Sequence, residues 1–258
     1  MGKRLQGGTS DTMDKLKIDL YCGDCLEVMK IIPDGSVDMI LCDLPYGITK
    51  NKWDIVIPLE EMWQCLDRIC KPTAAKCFTA SQPFSSMLCM SNLKEFRHEW
   101  IWKKNRGSNF ANTVREPMRE HETILVFSKG KWTYNRQMEE RSEGGKARAK
   151  YKVNFTSQSS NYNKFKGIMG YQYAELRVPS SVQKFNVEVG LHPTQKPLAL
   201  MEYLVKTYTN EGDTVLDFTM GSGTVGVACK KLNRNFIGIE LDAKYYQVAQ
   251  ERIANTAV

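Results

Sequence analysis

The chain has 258 residues, 42% hydrophobic and 25% charged, which suits one large α/β domain with room for an inserted lobe. No apolar run approaches the ~20 residues needed to cross a bilayer, so a membrane role is not expected. Lys plus Arg outnumber Asp plus Glu by 36 to 29, and a net charge of +7 is too small by itself to name a partner.

Residues 1–15 are polar, rich in Gly and Thr, and hold no apolar export signal; they read as a disordered tail on a cytoplasmic protein. Residues 16–21 are a short β-rich run, and 25–32 have helical spacing. Residues 37–42 are continuously apolar, as a strand buried on both faces would be. Residues 59–70 repeat apolar side chains at helical intervals and stop before Pro72. A strand at 75–79, a helix at 83–93 opened by its Pro, and strands at 99–102 and 123–127 follow. The pattern then fades and returns as a helix at 197–208, a strand at 214–218, a helix at 224–232, a strand at 236–241 and a closing helix at 243–254. This alternation predicts an α/β fold, a Rossmann-like and mostly parallel sheet flanked by helices on both faces.

The interruption at 135–186 divides the predicted domain into 16–134 and 187–258. It holds ten basic residues against four Glu, so +6 of the surplus charge lies in this segment. Tyr151, Phe155, Tyr162, Phe165, Tyr171 and Tyr173 are spaced among the basic residues. Cations can neutralise phosphates and aromatics can stack on bases, so the insertion is expected to meet nucleic acid rather than to be a plain solvated loop.

Near the C-terminus, Gly221-Ser222-Gly223-Thr224-Val225-Gly226 follows a strand that ends at Asp217 and precedes a helix. Glu240 closes the next strand, 19 residues beyond Gly221. Glycines let a ligand reach the backbone, the helix start offers free N–H groups, and the carboxylate can accept from ribose hydroxyls. That pattern indicates a nucleoside-containing cofactor without saying which. A nicotinamide dinucleotide is one alternative. Against it, only one helix follows Glu240, so the sheet must be completed by earlier segments.

The buried strand at 37–42 runs into Asp43-Leu44-Pro45-Tyr46-Gly47. Pro45 holds Leu44 extended, which aims its carbonyl outward beside the Asp43 carboxylate. Two converging acceptors suit an amino group with two hydrogens to donate, and Tyr46 offers a face for a planar ring. An exocyclic amine is a poor nucleophile because its lone pair is delocalised. Holding both N–H groups turns the lone pair towards a methyl donor, and positioning then supplies most of the rate. The base must leave its helical stack to reach such a pocket.

Together these segments resemble the amino-group (N6-adenine/N4-cytosine) DNA methyltransferases. Asp43 to Tyr46 is similar to the family's Asp-Pro-Pro-Tyr turn, with Leu44 at the first Pro position. Asp217 to Thr224 is similar to its cofactor loop, departing at Phe218 and Thr219. His192-Pro193-Thr194-Gln195-Lys196-Pro197 matches a third segment. The order, catalytic turn first and cofactor loop last, is that of the beta class.

The resemblance implies a site-specific enzyme of a bacterial or phage-infected cell, with S-adenosylmethionine as cofactor and adenine N6 in double-stranded DNA as acceptor. Cytosine N4 is the alternative acceptor. It implies that Asp43 and the Leu44 carbonyl, set by Pro45, hold the amine while Tyr46 stacks on the flipped base. Asp24, Asp43, Thr194, Lys196, Asp217, Gly221, Ser222, Gly223, Thr224 and Glu240 fall at cofactor positions. The insertion falls where the family recognises its target, so Lys146, Arg148, Lys150, Lys152, Lys164 and Lys166 are expected on DNA. A homodimer and a cognate restriction endonuclease are partners the likeness also suggests.

Other features are set aside. Cys22 and Cys25 have no second Cys or His pair, so no metal site is expected. Trp100, Trp102 and Trp132 read as core or wall residues, and Glu116, Glu120 and Glu122 as part of a solvated charged loop.

Overall fold

The computed structural model describes residues 16–47, 54–149, 175–188, 190 and 195–257. The first strand, β1 (Ile18–Cys22), leads into α1 (Cys25–Met29), whose start is capped by the Asp24 carboxylate. Strand β2 (Val37–Asp43) is buried on both faces, as its unbroken apolar run requires. Helix α2 (Leu59–Ile69) buries Met62, Trp63, Leu66 and Ile69 along one stripe and passes directly into β3 (Cys70–Ala80). Helix α3 (Phe84–Ser91), β4 (Phe96–Ser108) and β5 (Arg119–Phe127) complete the first half. The second half contains α5 (Leu198–Tyr208), β9 (Thr214–Asp217), α6 (Thr224–Lys231), β10 (Asn235–Glu240) and α7 (Ala243–Ala254).

Between the halves lie β6 (Glu139–Glu140), α4 (Glu143–Ala149), β7 (Leu176–Arg177) and β8 (Val182–Lys184). The ribbon β6–β7 is a small sheet of its own, whereas β8 runs parallel to β4 at the edge of the main sheet. The main sheet thus reaches into the stretch assigned to the insertion. Three residues are too few for a strand period to show in the sequence.

The main sheet has the order β1-β10-β9-β2-β3-β5-β4-β8. Only β5 runs against its neighbours. Side chains alternate across it with period two. Met39 and Leu41 join α5, α6 and α7 in one core, while Ile40 and Cys42 join α1, α2 and α3 in the other. The chain steps from β2 to β3 in one direction and from β9 to β10 in the other. The β9–β2 boundary is therefore the switch point, where open α/β sheets leave a crevice beyond the carboxyl ends of the strands. Only two registered pairs, Met39–Val215 and Ile40–Leu216, join β2 to β9 before the strands part.

Candidate active site

A cavity of about 820 Å³ opens at that crevice and is lined by both Asp43 and Glu240. Four neighbouring strands each bring a carboxylate to it. Asp24 follows β1, Glu240 ends β10, Asp217 ends β9 and Asp43 ends β2. Lys104 and Glu122 reach it from β4 and β5, and Lys196 from the approach to α5.

The glycine loop forms one wall. Gly221 has φ +51°, and a Cβ there would meet nothing within 4 Å, so the backbone lies open to whatever fills the cavity. Its N–H donates to Glu240 Oε2 at 2.8 Å, and the Asp242 N–H donates to Oε1 at 2.9 Å. Burial raises the Glu240 pKa even though these N–H groups oppose it. Ser222 and Thr224 line the cavity and are held from behind by Arg252 of α7. Its Nη1 donates to the Ser222 carbonyl at 3.2 Å and to Thr224 Oγ1 at 2.9 Å.

Gly223 is packed closely within the loop. It is not part of the cavity wall; a Cβ there would sit 2.9 Å from Ala249 Cβ and 3.1 Å from Ala249 Cα. Its lack of a side chain lets α7 pack against the loop. Asp24 lines the cavity while its Oδ1 caps α1 through the Leu26 and Glu27 N–H groups. Asp217 is fully buried, and its pKa is pushed up to about 7 by burial. The Thr219 N–H and the Cys42 thiol pull it back, and the nearby charges of Asp43 and Glu240 add to the rise.

The Asp43 turn forms the opposite wall. Leu44 is buried in the core on the α2 side, so a second Pro is replaced here by packing. The Gly47 N–H donates to Asp54 Oδ1 at 2.8 Å, which ties the turn to the segment before α2. The Asp43 carbonyl accepts from Thr219 Oγ1 at 3.1 Å, linking this turn to the glycine-loop strand.

The Asp43 carboxylate is heavily engaged. Oδ1 accepts from the Tyr46 hydroxyl at 2.9 Å and from the Thr79 hydroxyl, and Oδ2 accepts from Lys196 Nζ at 2.5 Å. Burial first, then the Asp43 charge, raises the Tyr46 pKa well above its ordinary value, so this hydroxyl stays a donor. One face of the Tyr46 ring stacks on Phe84, with centroids 5.3 Å apart and planes at 24°. A planar ligand would have to use the other face.

Lys196 therefore lies against the Asp43 turn. Its ammonium is also 3.4 Å from Glu122 Oε2, and Glu122 Oε1 is 2.6 Å from Lys104 Nζ. Burial pulls the Lys196 pKa down, but Asp43 and Glu122 outweigh burial and leave it raised. Burial pushes the Glu122 pKa up, yet Lys196 and Lys104 outweigh that and leave it lowered. The expectation of a solvated loop is corrected at Glu122, a largely buried link in a chain of alternating charge. Thr79, Lys104, Glu122 and Arg252 were not foreseen as site residues. A charged residue in an otherwise strand-like run is the one signal that could have marked Glu122.

Of the predicted DNA contacts, Lys146 and Arg148 lie on α4, and Lys146 Nζ is 2.9 Å from Glu143 Oε1. Lys150, Lys152, Lys164, Lys166 and Thr194 fall outside the described residues. Among the described residues no group of three or more His, Cys, Asp or Glu could hold a metal ion, and no helix is long and apolar enough to cross a membrane.

The chain is similar to known proteins. The chain is 28% identical to the Type II methyltransferase M.HpaI of Haemophilus parainfluenzae, over 91% of this chain and 73% of that one. It is 29% identical to the DNA adenine methyltransferase YhdJ of Escherichia coli (strain K12), over 90% of this chain and 81% of that one. The crystal structure of the M1.HpyAVI-SAM complex superposes with a TM-score of 0.62 at 28% identity, covering 92% of this chain and 98% of that one. The family model for N6/N4 methyltransferases, described as DNA methylase, matches residues 37–251, from β2 through most of α7. That span includes both walls of the cavity, and the chain belongs to the N6/N4 DNA methylase family.

Proposed function

We propose that this chain transfers a methyl group from S-adenosylmethionine to the N6 amino group of adenine in DNA, using the Asp43 turn for the amine and the Gly221 loop with Glu240 for the cofactor. The observation that carries this reading is the single cavity at the switch point, shared by Asp43 and Glu240. The wall suits a cationic nucleoside. Carboxylates end four adjacent strands, and the mutual repulsion of Asp217, Asp43 and Glu240 is relieved by positive charge. The pyrophosphate of a nicotinamide dinucleotide would meet the same carboxylates with like charge, which argues against that alternative.

S-adenosylmethionine, when bound, supplies an electrophilic methyl group on a sulfonium that leaves as a neutral thioether. Glu240 is placed to accept from ribose hydroxyls, and the open backbone at Gly221 and Ser222 to receive the aminoacyl arm. Asp43 and the Leu44 carbonyl take the two amine hydrogens, so the nitrogen lone pair faces the methyl. Asp43 also stabilises the positive charge that grows on nitrogen as the new bond forms. Tyr46 and Thr79 fix the carboxylate rotamer while this happens. The methylated nitrogen then loses a proton to solvent.

Binding this cation should be coupled to Asp217. With a pKa of about 7, Asp217 is part protonated in the free protein at neutral pH. A cation nearby favours its ionised form and expels the proton. Affinity for S-adenosylmethionine is expected to rise with pH through about 7, by at most about tenfold per pH unit for one proton. Calorimetry in buffers of different ionisation enthalpy measures that release. Proton uptake, or a flat profile from pH 6 to 8, would contradict it.

The insertion at 135–186 is proposed as the target-recognition region. Lys150→Ala with Lys152→Ala is expected to weaken DNA binding and its salt dependence while cofactor binding survives. Equal loss of both would give the segment a structural role. A second copy of the chain and a cognate endonuclease are proposed on family likeness alone.

The deciding experiment is expression in a host that lacks adenine methylation, followed by sequencing that reads modified bases. N6-methyladenine at one recurrent motif is the expected outcome. N4-methylcytosine would move the acceptor to cytosine, and unmodified DNA would end the reading.

A further inference from the structure

The hairpin between β4 and β5 carries an exposed apolar tip beside the cavity. Strand β4 runs past the sheet edge where the site lies, and its Arg106, Gly107 and Ser108 line the cavity wall. The last registered pair of the two strands is Ser108–Arg119, so the tip consists of residues 109–118. Within it Phe110 is 80% exposed and Val114 88% exposed. They are the two most exposed of the large apolar side chains among the described residues.

The tip is built rather than loose. Asn109 has φ +70°, and its side-chain amide donates to Glu116 Oε1. Phe110–Asn112 form a 3-10 turn, closed by Thr113 Oγ1 donating to the Phe110 carbonyl at 2.9 Å. The Arg115 N–H donates to the Asn112 carbonyl at 2.9 Å. Arg106 and Arg115 are exposed and have no ion pair among the described residues.

We propose that this tip is a wedge that enters duplex DNA beside the target base, with Phe110 taking the stacking place the base vacates and Arg106 and Arg115 holding the flanking phosphates. The proposal rests on the methyltransferase reading. A base must be unstacked to reach the cavity, and proteins lower that cost by inserting apolar side chains between base steps. The hairpin tip is tied by its own hydrogen bonds, exposes an aromatic, and joins the cavity wall through Arg106. A second copy of the chain is the weaker occupant. Three exposed apolar side chains, Phe110, Val114 and Met118, fall far short of the roughly 20–30 residues a stable interface uses on each side.

The test uses two duplexes carrying the methylation motif found by sequencing. One has the target fully paired; the other has it opposite an abasic gap, already free to leave the stack. Phe110→Ala should lower kcat/KM on the paired duplex by roughly tenfold to a hundredfold, the scale of one lost aromatic–base stack. On the gapped duplex it should match the unaltered protein, with the Kd for S-adenosylmethionine unchanged. Phe110→Trp should keep the paired-duplex rate, since it restores a stacking face. Paired-duplex kinetics unaffected by Phe110→Ala, or equal loss on both duplexes, overturns the wedge. So does a change in sedimentation that makes the tip a subunit contact. Failure of the unaltered protein on both duplexes would sink the methyltransferase reading, and the wedge with it.

Discussion

Asp43→Ala should lower methyl transfer by about 10²–10³-fold or more while S-adenosylmethionine still binds. The two parts of that result have separate causes. The turn is held in place by the Asp43 carbonyl, which accepts from Thr219, and by Asp54 at Gly47. An alanine keeps both ties, so the cavity wall stays in position. What goes is the carboxylate proposed to face the amine, together with the anchor for the Tyr46 and Thr79 hydroxyls and for Lys196. Asp43→Asn is the informative companion. It keeps shape and an acceptor but not the charge, so its rate should fall between the two if stabilising positive charge on nitrogen matters. Single-turnover transfer of labelled methyl, with cofactor affinity measured separately, distinguishes these effects. Full activity in the alanine variant would remove the turn from the chemistry.

Lys196→Met should cost about 3 kcal/mol of stability, the low end for breaking a buried ion pair, because Lys104 still pairs with Glu122. The same change should weaken the response to acid. In the native chain Glu122 has a lowered pKa, so its stabilising contribution is present above the ordinary value of 4.5 and is lost as pH falls through the lowered one. Lys196 has a raised pKa, so its contribution is present below 10.5 and is lost as pH rises past the raised value. The charge chain thus stabilises the fold across the neutral range. With methionine at 196, Glu122 keeps only Lys104 as an opposing cation, so its pKa should rise from the lowered value. The variant should then lose less stability than the native chain as pH falls below 4.5. Urea unfolding through that range tests the sign. A variant as stable as the native chain at pH 7 would mean that Lys196 is solvated in solution.

How much of the site was legible follows from where its information sits. The Asp43 turn and the glycine loop each combine a strand end, a turn residue and a following segment, so local rules find them. The two-sided burial of β2 shows in its unbroken apolar run. Thr79, Lys104 and Glu122 act through neighbours many positions away, across strands whose pairing no local pattern states. Gly223 shows what packing adds. Its motif position points to a ligand, and the approach of Ala249 of α7 is a second constraint that only three-dimensional packing reveals. The sheet edge at β8 was missed because three residues carry too little periodicity.

The strand order also bears on synthesis. The pair β9–β10, contributed late in the chain, fills the slot between β1 and β2, contributed early. Until those last strands leave the ribosome, β1 and β2 each present an unpaired edge, and the walls of the future cavity are far apart in the nascent chain. Parallel pairings of such sequence separation form slowly. The unfinished N-terminal half is therefore the species most exposed to edge-to-edge aggregation, and a chaperone would have its longest hold there.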